Sequence, residues 1–194
     1  MSRQNNPRLT RGLSALIVLV SALWGMVPTE PGASRVAAPL LSQKTARATG
    51  DDTALAVTTG GAQTCSIWNN ALYCWGSNMY GQIGDGTTNV RYTPTLVQGM
   101  DSGVTHVSAG SRHTCAIKNG ALYCWGSNYY GQLGDGTTTN RLTPVAVQGM
   151  SSGVTDVAAG DTHTCAIKSG ALFCWGYNAA GQLGDGTTID RNMP

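Results

Sequence analysis

Six cysteines and three histidines are the residues in this sequence best suited to chemistry, and their spacing is regular. His113 stands two residues before Cys115, Cys124 follows nine later, and His163, Cys165 and Cys174 repeat the set fifty residues on. Three such side chains on one strand face would make a partial zinc shell. The first occurrence, however, carries Gln63 where the others carry histidine. No fourth ligand is evident, and a structural zinc site takes four. A glycine-rich run, Gly131, Gln132, Leu133, Gly134, Asp135, Gly136, invites comparison with a phosphate-binding loop. Such a loop needs a lysine and a following helix whose aligned N–H groups face the anion; here Thr137, Thr138 and an extended segment follow. Calcium would need an alternating series of Asp and Asn ligands, which is missing. His113, Asp135 and Ser127 belong to a recurring frame or to its variable positions, with no nucleophile, base and orienting group set apart from it. His106 is unique to its repeat but stands alone on a strand. No catalytic residue, metal ligand or cofactor is assigned.

The frame that holds these residues is a 50-residue repeat. Residues 101–144 and 151–194 share 30 of 44 positions without a gap, and Cys65, Cys74, Trp75, Gly76, Asn78, Gly81, Gln82, Gly84, Asp85, Gly86 and Thr87 recur at 115–137 and 165–187. Repetition at this period marks a solenoid, a propeller or an array. The second unit yields four short strand candidates between turn signals: 104–109, 113–118, 121–125 and 144–148. No window has helical apolar periodicity. Four strands per unit make a propeller blade, so the fold class is all-β: a partial β-propeller with two complete four-stranded blades, 51–100 and 101–150, and an incomplete third, 151–194. The last four residues align with Arg141, Leu142, Thr143 and Pro144, which leaves the third blade without its final strand.

Asn119-Gly120 favours a two-residue type I′ turn, because both central positions need positive φ. Counting back from that turn sets Cys115 opposite Cys124 at a non-hydrogen-bonded site, where Cα atoms lie about 4.5 Å apart, within reach of a disulfide. The same count pairs Cys65 with Cys74 and Cys165 with Cys174, so that each blade carries one disulfide-bridged hairpin.

Disulfides persist in oxidising compartments, and the N-terminus agrees. Residues 1–12 carry three arginines and no acid, an apolar run extends from Leu13 to Val27, and Gly32, Ala33 and Ser34 follow. This is a signal-peptide layout over 1–34. The apolar run makes about 22 Å of helix, short of a bilayer core of about 30 Å, so no stable membrane span is expected beyond the leader. Residues 35–50 lack strand alternation and read as a linker. From Asp51 onward there are 6 basic and 9 acidic residues, a net −3, which opposes a phosphate-driven nucleic-acid surface. The expected location is secreted or cell-surface.

The segment AGSRHTCAIKNGALYCWGSNYYGQLGDGT, residues 109–137, with its two counterparts, resembles the regulator of chromosome condensation repeat family. The resemblance covers 51–194. It implies a propeller, most often seven-bladed, with the glycines and the Trp-Gly pair at structural positions. The paired cysteines look like those of exported bacterial members. Nuclear members act in guanine-nucleotide exchange on a small GTPase and bind chromatin, which fits an exported acidic chain poorly, whereas a secreted member type inhibits β-lactamases through a propeller face. No inhibitory residue transfers, because the matching positions belong to the frame.

Partner specificity belongs where repeats differ. Those positions include Arg112 against Thr162, Ser127 against Tyr177, and the series Met79-Tyr80, Tyr129-Tyr130, Ala179-Ala180. Tyrosine on a rigid scaffold offers large contact area at small entropic cost, although the same rings could instead pack over the neighbouring blade. Tyr80, Tyr129, Tyr130, Arg112 and Tyr177 are therefore the candidate partner-binding residues. The leading expectation is a non-enzymatic scaffold for a protein partner of unknown identity. The alternatives are a secreted enzyme inhibitor and a structural fragment without independent function, and self-assembly would complete the propeller.

Overall fold

The computed structural model describes residues 54–194, and the leader and linker expected over 1–50 lie outside the described residues. The described residues form eleven strands and no helix. In the first blade these are β1 (Ala54–Thr59), β2 (Gln63–Trp68), β3 (Ala71–Gly76) and β4 (Arg91–Leu96). The second has β5 (Val104–Ala109), β6 (His113–Lys118), β7 (Ala121–Gly126) and β8 (Arg141–Ala146). The third has β9 (Val154–Ala159), β10 (His163–Lys168) and β11 (Ala171–Gly176). Each blade is an antiparallel meander in chain order, and in the third a single bridge between Gly176 and Arg191 stands in the place of the fourth strand.

The central hairpins follow from turn chemistry. Asn119 and Gly120 have φ of 51° and 76°, Asn69 and Asn70 have 49° and 61°, and Ser169 and Gly170 have 51° and 81°, as a type I′ turn requires. Cys115 accordingly sits opposite Cys124, Cys65 opposite Cys74 and Cys165 opposite Cys174. All three pairs are disulfide-bonded with Cα atoms 4.1 Å apart.

The fourth strand differs from its expected place: it spans Arg141–Ala146 rather than 144–148. Arg141 begins it by pairing with Gly126 across a bulge. Val147 still donates its N–H to the Leu122 carbonyl of β7, and the backbone leaves β7 at Gln148, whose N–H donates to the Gly134 carbonyl. The third strand also runs one residue beyond Trp125, to Gly126.

The core lies between blades rather than within one. Ile67, Leu72, Ile83, Val97 and Met100 of the first repeat pack with Val104, Ala116 and Trp125 of the second. Ile117, Leu122, Leu133, Val147 and Met150 pack in turn with Val154, Ala166 and Trp175. A sheet has two apolar faces, and only a neighbouring blade can cover them. The rows β1, β5 and β9 approach one another, with β4 and β8 at the far edge.

Candidate functional site

In a four-stranded meander the β1–β2 turn and the β3–β4 loop emerge at one end, and the β2–β3 hairpin at the other. Every candidate partner-binding residue falls at the first end. Arg112 occupies the β5–β6 turn, Tyr80 the β3–β4 loop, Tyr129 and Tyr130 the β7–β8 loop, and Tyr177 follows β11.

The structure gathers these residues into two groups, each straddling a blade seam. The Arg112 guanidinium lies 5.1 Å from the centre of the Tyr80 ring, and Tyr80 meets Tyr129 edge-on with centroids 6.1 Å apart. Tyr130 meets Tyr177 at 4.8 Å and 61°. The rings pack across the seam, and 61% of Tyr129 and 41% of Tyr130 stay exposed. Arg112 and Met79 are exposed beside them. Cation–π and edge-on contacts of this kind hold rings in place by about 0.5–1 kcal/mol each.

The backbone beneath is fixed. The Tyr80 N–H donates to Gln82 Oε1 at 2.9 Å and the Tyr130 N–H to Gln132 Oε1 at 3.0 Å. The Ser127 N–H donates to the Arg112 carbonyl at 2.9 Å.

The glycine loop serves the architecture. Asn128 Oδ1 accepts the Leu133 N–H at 3.0 Å, while Nδ2 donates to Asp135 Oδ1 and to the Thr137 carbonyl. Asp135 Oδ1 accepts the Thr137 N–H and hydroxyl, and Oδ2 accepts Arg141 Nε at 2.8 Å. Partial burial pushes the Asp135 carboxyl up, but the Thr137 hydroxyl and the Arg141 guanidinium outweigh it, so the carboxylate is held below its ordinary pKa. Asn78, Asp85, Thr87 and Arg91 repeat this network, as do Asn178, Asp185, Thr187 and Arg191. The arginines at 91, 141 and 191 were not singled out from the sequence, although the spacing Asp-x-Thr-x-x-x-Arg, three times over, carried the signal.

The same loop receives the next blade. The Gln82 carbonyl accepts both Trp125 Nε1 at 3.0 Å and the Thr114 hydroxyl at 2.9 Å. The Gln132 carbonyl accepts Trp175 Nε1 at 2.9 Å and the Thr164 hydroxyl at 2.8 Å. Gly84 lies under the Trp125 ring with φ +81°, and a Cβ there would come within 2.5 Å of Nε1. Neither the backbone nor the space tolerates a side chain at this position.

His113 is fully buried at the start of β6. It reaches across the seam, with Nε2 2.9 Å from Thr164 Oγ1. Since the Thr164 hydroxyl already donates to Gln132, Nε2 must carry the proton and donate. Nδ1 is then a bare acceptor, buried and without a partner among the described residues. Desolvation, with a smaller push from His163 and against a weaker opposing pull from Asp161, lowers the His113 pKa to about 4. In the first blade Gln63 plays the equivalent part, donating to the Gly110 carbonyl at 2.8 Å. With both sulfurs of each cysteine pair bonded to each other, His113 has no thiolate beside it to share a metal.

The regulator of chromosome condensation (RCC1) repeat matches residues 69–117 and 119–167, and a second description of the same repeat matches 104–132 and 154–182. No curated protein sequence matches the chain. Among solved structures, human WBSCR16 aligns with a TM-score of 0.65 and 26% identity over 75% of this chain and 38% of its own. Yeast RCC1 (Prp20), solved bound to Kap60, aligns with a TM-score of 0.63 and 20% identity over 72% of this chain and 36% of its own. Prp20p from Saccharomyces cerevisiae in a second structure gives 0.65 and 21%, over 72% and 37%. The chain thus spans a little over a third of the length of these proteins. The repeat matches together cover more than half of the chain, and the chain belongs to the regulator of chromosome condensation (RCC1) repeat family.

Proposed function

We propose that this chain is an exported, non-enzymatic scaffold that binds a protein partner through the tyrosine-bearing end of its blades. The observation that carries the reading is the group formed by Arg112, Tyr80 and Tyr129: large amphipathic side chains, Arg112 and Tyr129 exposed and Tyr80 half-buried between them, already ordered by contacts across a blade seam. A surface ordered in advance loses little side-chain entropy on binding, and Tyr and Arg are enriched among residues that dominate interface energies. Positions that differ between repeats meet at this end, whereas the recurring residues build the frame beneath.

Export rests on the three disulfides and on the leader. Structures of the yeast neighbour Prp20p concern its binding to Kap60, and to Gsp1p and histones, so propellers of this fold serve as protein-binding bodies. The partner class is different for an exported chain with a net negative repeat region. The test is capture of secreted proteins by the oxidised chain and by R112A, Y129A and Y130A variants. A binding partner should be lost at least tenfold with R112A or Y129A, while unchanged capture by all three would remove this face from consideration. Inhibition of secreted hydrolases by the chain, abolished by the same substitutions, would narrow the scaffold to an enzyme inhibitor.

A further inference from the structure

The cations among the described residues are Arg91, Arg112, Lys118, Arg141, Lys168 and Arg191, and all but one are engaged by the frame. Arg91, Arg141 and Arg191 pair with Asp85, Asp135 and Asp185. Lys118 and Lys168 donate to the carbonyls of Gly99 and Gly149. The Arg112 guanidinium has neither a carboxylate nor a carbonyl among the described residues. It is exposed, and its contact is with the Tyr80 ring, 5.1 Å from the centroid.

The second seam shows that packing alone does not call for an arginine here. Tyr130 stands fifty residues after Tyr80, and the group that covers it is the Tyr177 ring, 4.8 Å away, where the first seam has Ser127. Thr162 stands at the counterpart of Arg112. The backbone beneath is the same in both cases: the Ser127 and Tyr177 N–H groups donate to the Arg112 and Thr162 carbonyls at 2.9 and 3.0 Å. One seam thus covers its tyrosine with a neutral ring and the other with a guanidinium. The covering is met either way, and the charge of Arg112 is left over from it.

A guanidinium over a ring is partly desolvated and held in place, so less freedom is lost when its fork of N–H donors meets the two oxygens of a carboxylate. Tyr129 closes edge-on against Tyr80, and neither phenolic hydroxyl bonds to a described residue, which leaves two further donors beside the fork. Met79, 73% exposed, adds an apolar flank. From Asp51 onward the chain is net negative by 3, which repels a run of acids. The place suits a single carboxylate set in an apolar surface.

We infer that Arg112 is the anchor for one glutamate or aspartate side chain of the protein partner, with Tyr80 and Tyr129 as its aromatic walls. This rests on the proposal that the loop end binds a protein, and it adds the chemistry of what is bound: a lone acidic side chain on an apolar protrusion, received by a bidentate guanidinium.

The test uses the full chain, oxidised, and three peptides: acetyl-Gly-Leu-Glu-Leu-Gly-amide, the same peptide with glutamine for glutamate, and that glutamine peptide with a free C-terminal carboxylate. At about pH 6, where the glutamate is ionised, NMR follows the Nε–H signals of the arginines. The Arg112 signal should shift saturably with the glutamate peptide and respond at least tenfold more weakly to either glutamine peptide. Arg91 and Arg141 should stay still, because their N–H groups are already taken. R112T, which supplies the residue that the third repeat uses, should abolish the preference for glutamate as read at the Tyr80 and Tyr129 ring signals, with all three disulfides and the far-ultraviolet spectrum retained. Equal responses to the glutamate and amidated glutamine peptides overturn the inference, as does a response to the C-terminal carboxylate alone or one that survives R112T. Peptides that fail to discriminate while R112A still loses capture of secreted proteins refute carboxylate recognition and leave the binding face standing. A glutamate-selective response with capture unchanged in R112A refutes the face itself, and the partner assigned here falls with it.

Discussion

Lowering the pH from 8 to 5 is expected to remove about 2 kcal/mol of stability through one imidazole, that of His113. In the folded chain the ring is neutral, with its proton on Nε2 donated to Thr164 and a bare, buried Nδ1. A second proton would have to enter at Nδ1, where nothing accepts it, and burial lowers the pKa from 6.5 to about 4. The unfolded chain therefore binds more protons than the folded one between these values. Stability is fully present above pH 6.5 and falls as the pH descends toward 4. Linkage gives RT ln[(1 + 10^1.5)/(1 + 10^−1)] at pH 5, which is about 2 kcal/mol. The perturbation that isolates this contribution is H113Q, since glutamine is what the first blade uses at this position and Gln63 donates across its seam. Urea unfolding of wild type and H113Q at pH 8 and pH 5 should show the wild type losing about 2 kcal/mol more than the variant over that interval. Equal losses in the two proteins would refute the buried neutral imidazole.

Three further outcomes follow from the seams and hairpins. Replacing Cys115 and Cys124 together with alanine removes a ten-residue loop closure and should cost about 2.7 kcal/mol by the chain-entropy relation, measured by urea unfolding against the oxidised wild type. Gly84→Ala combines a positive φ with a Cβ 2.5 Å from Trp125 Nε1, and should destabilise by about 2–3 kcal/mol and red-shift the tryptophan emission, whereas Gly99→Ala, with open space around it, should cost only about 1 kcal/mol of backbone strain. Asp135→Asn removes a carboxylate held below its ordinary pKa and leaves Arg141 unpaired; it should lower stability at pH 7 by about 1 kcal/mol and narrow its gap to the wild type as the pH falls below 4, read from thermal unfolding.

The parts of the fold set by neighbours in sequence were legible beforehand. The hairpin turn dipeptides fixed the register, the register paired the cysteines, and the 50-residue period defined the blades. What escaped was set by residues far apart. His113 and Thr164 are 51 positions apart, and an ordinary-looking threonine gives no sign that it will accept a bond from the preceding blade. The fourth strand was misplaced because its start is determined by Arg141 reaching Asp135 and Gly126, not by local β-propensity around Pro144. At the candidate binding end the tyrosines and Arg112 stood out as differences between repeats, but that Arg112 would cover Tyr80 depended on a turn in one blade meeting a loop in another.

The shared carbonyl of Gln82 and Gln132 has a consequence for how such a chain can change over generations. Since both seams among the described residues join a glutamine carbonyl of one blade to a tryptophan and a threonine of the next, a duplication or deletion of one 50-residue unit supplies or removes one of each, and the blades on either side of the scar meet through a contact they already make. Unequal recombination between repeats can alter blade number in a single step without inventing an interface, while the tyrosine and arginine positions at the loop end travel with each copy and are free to diverge.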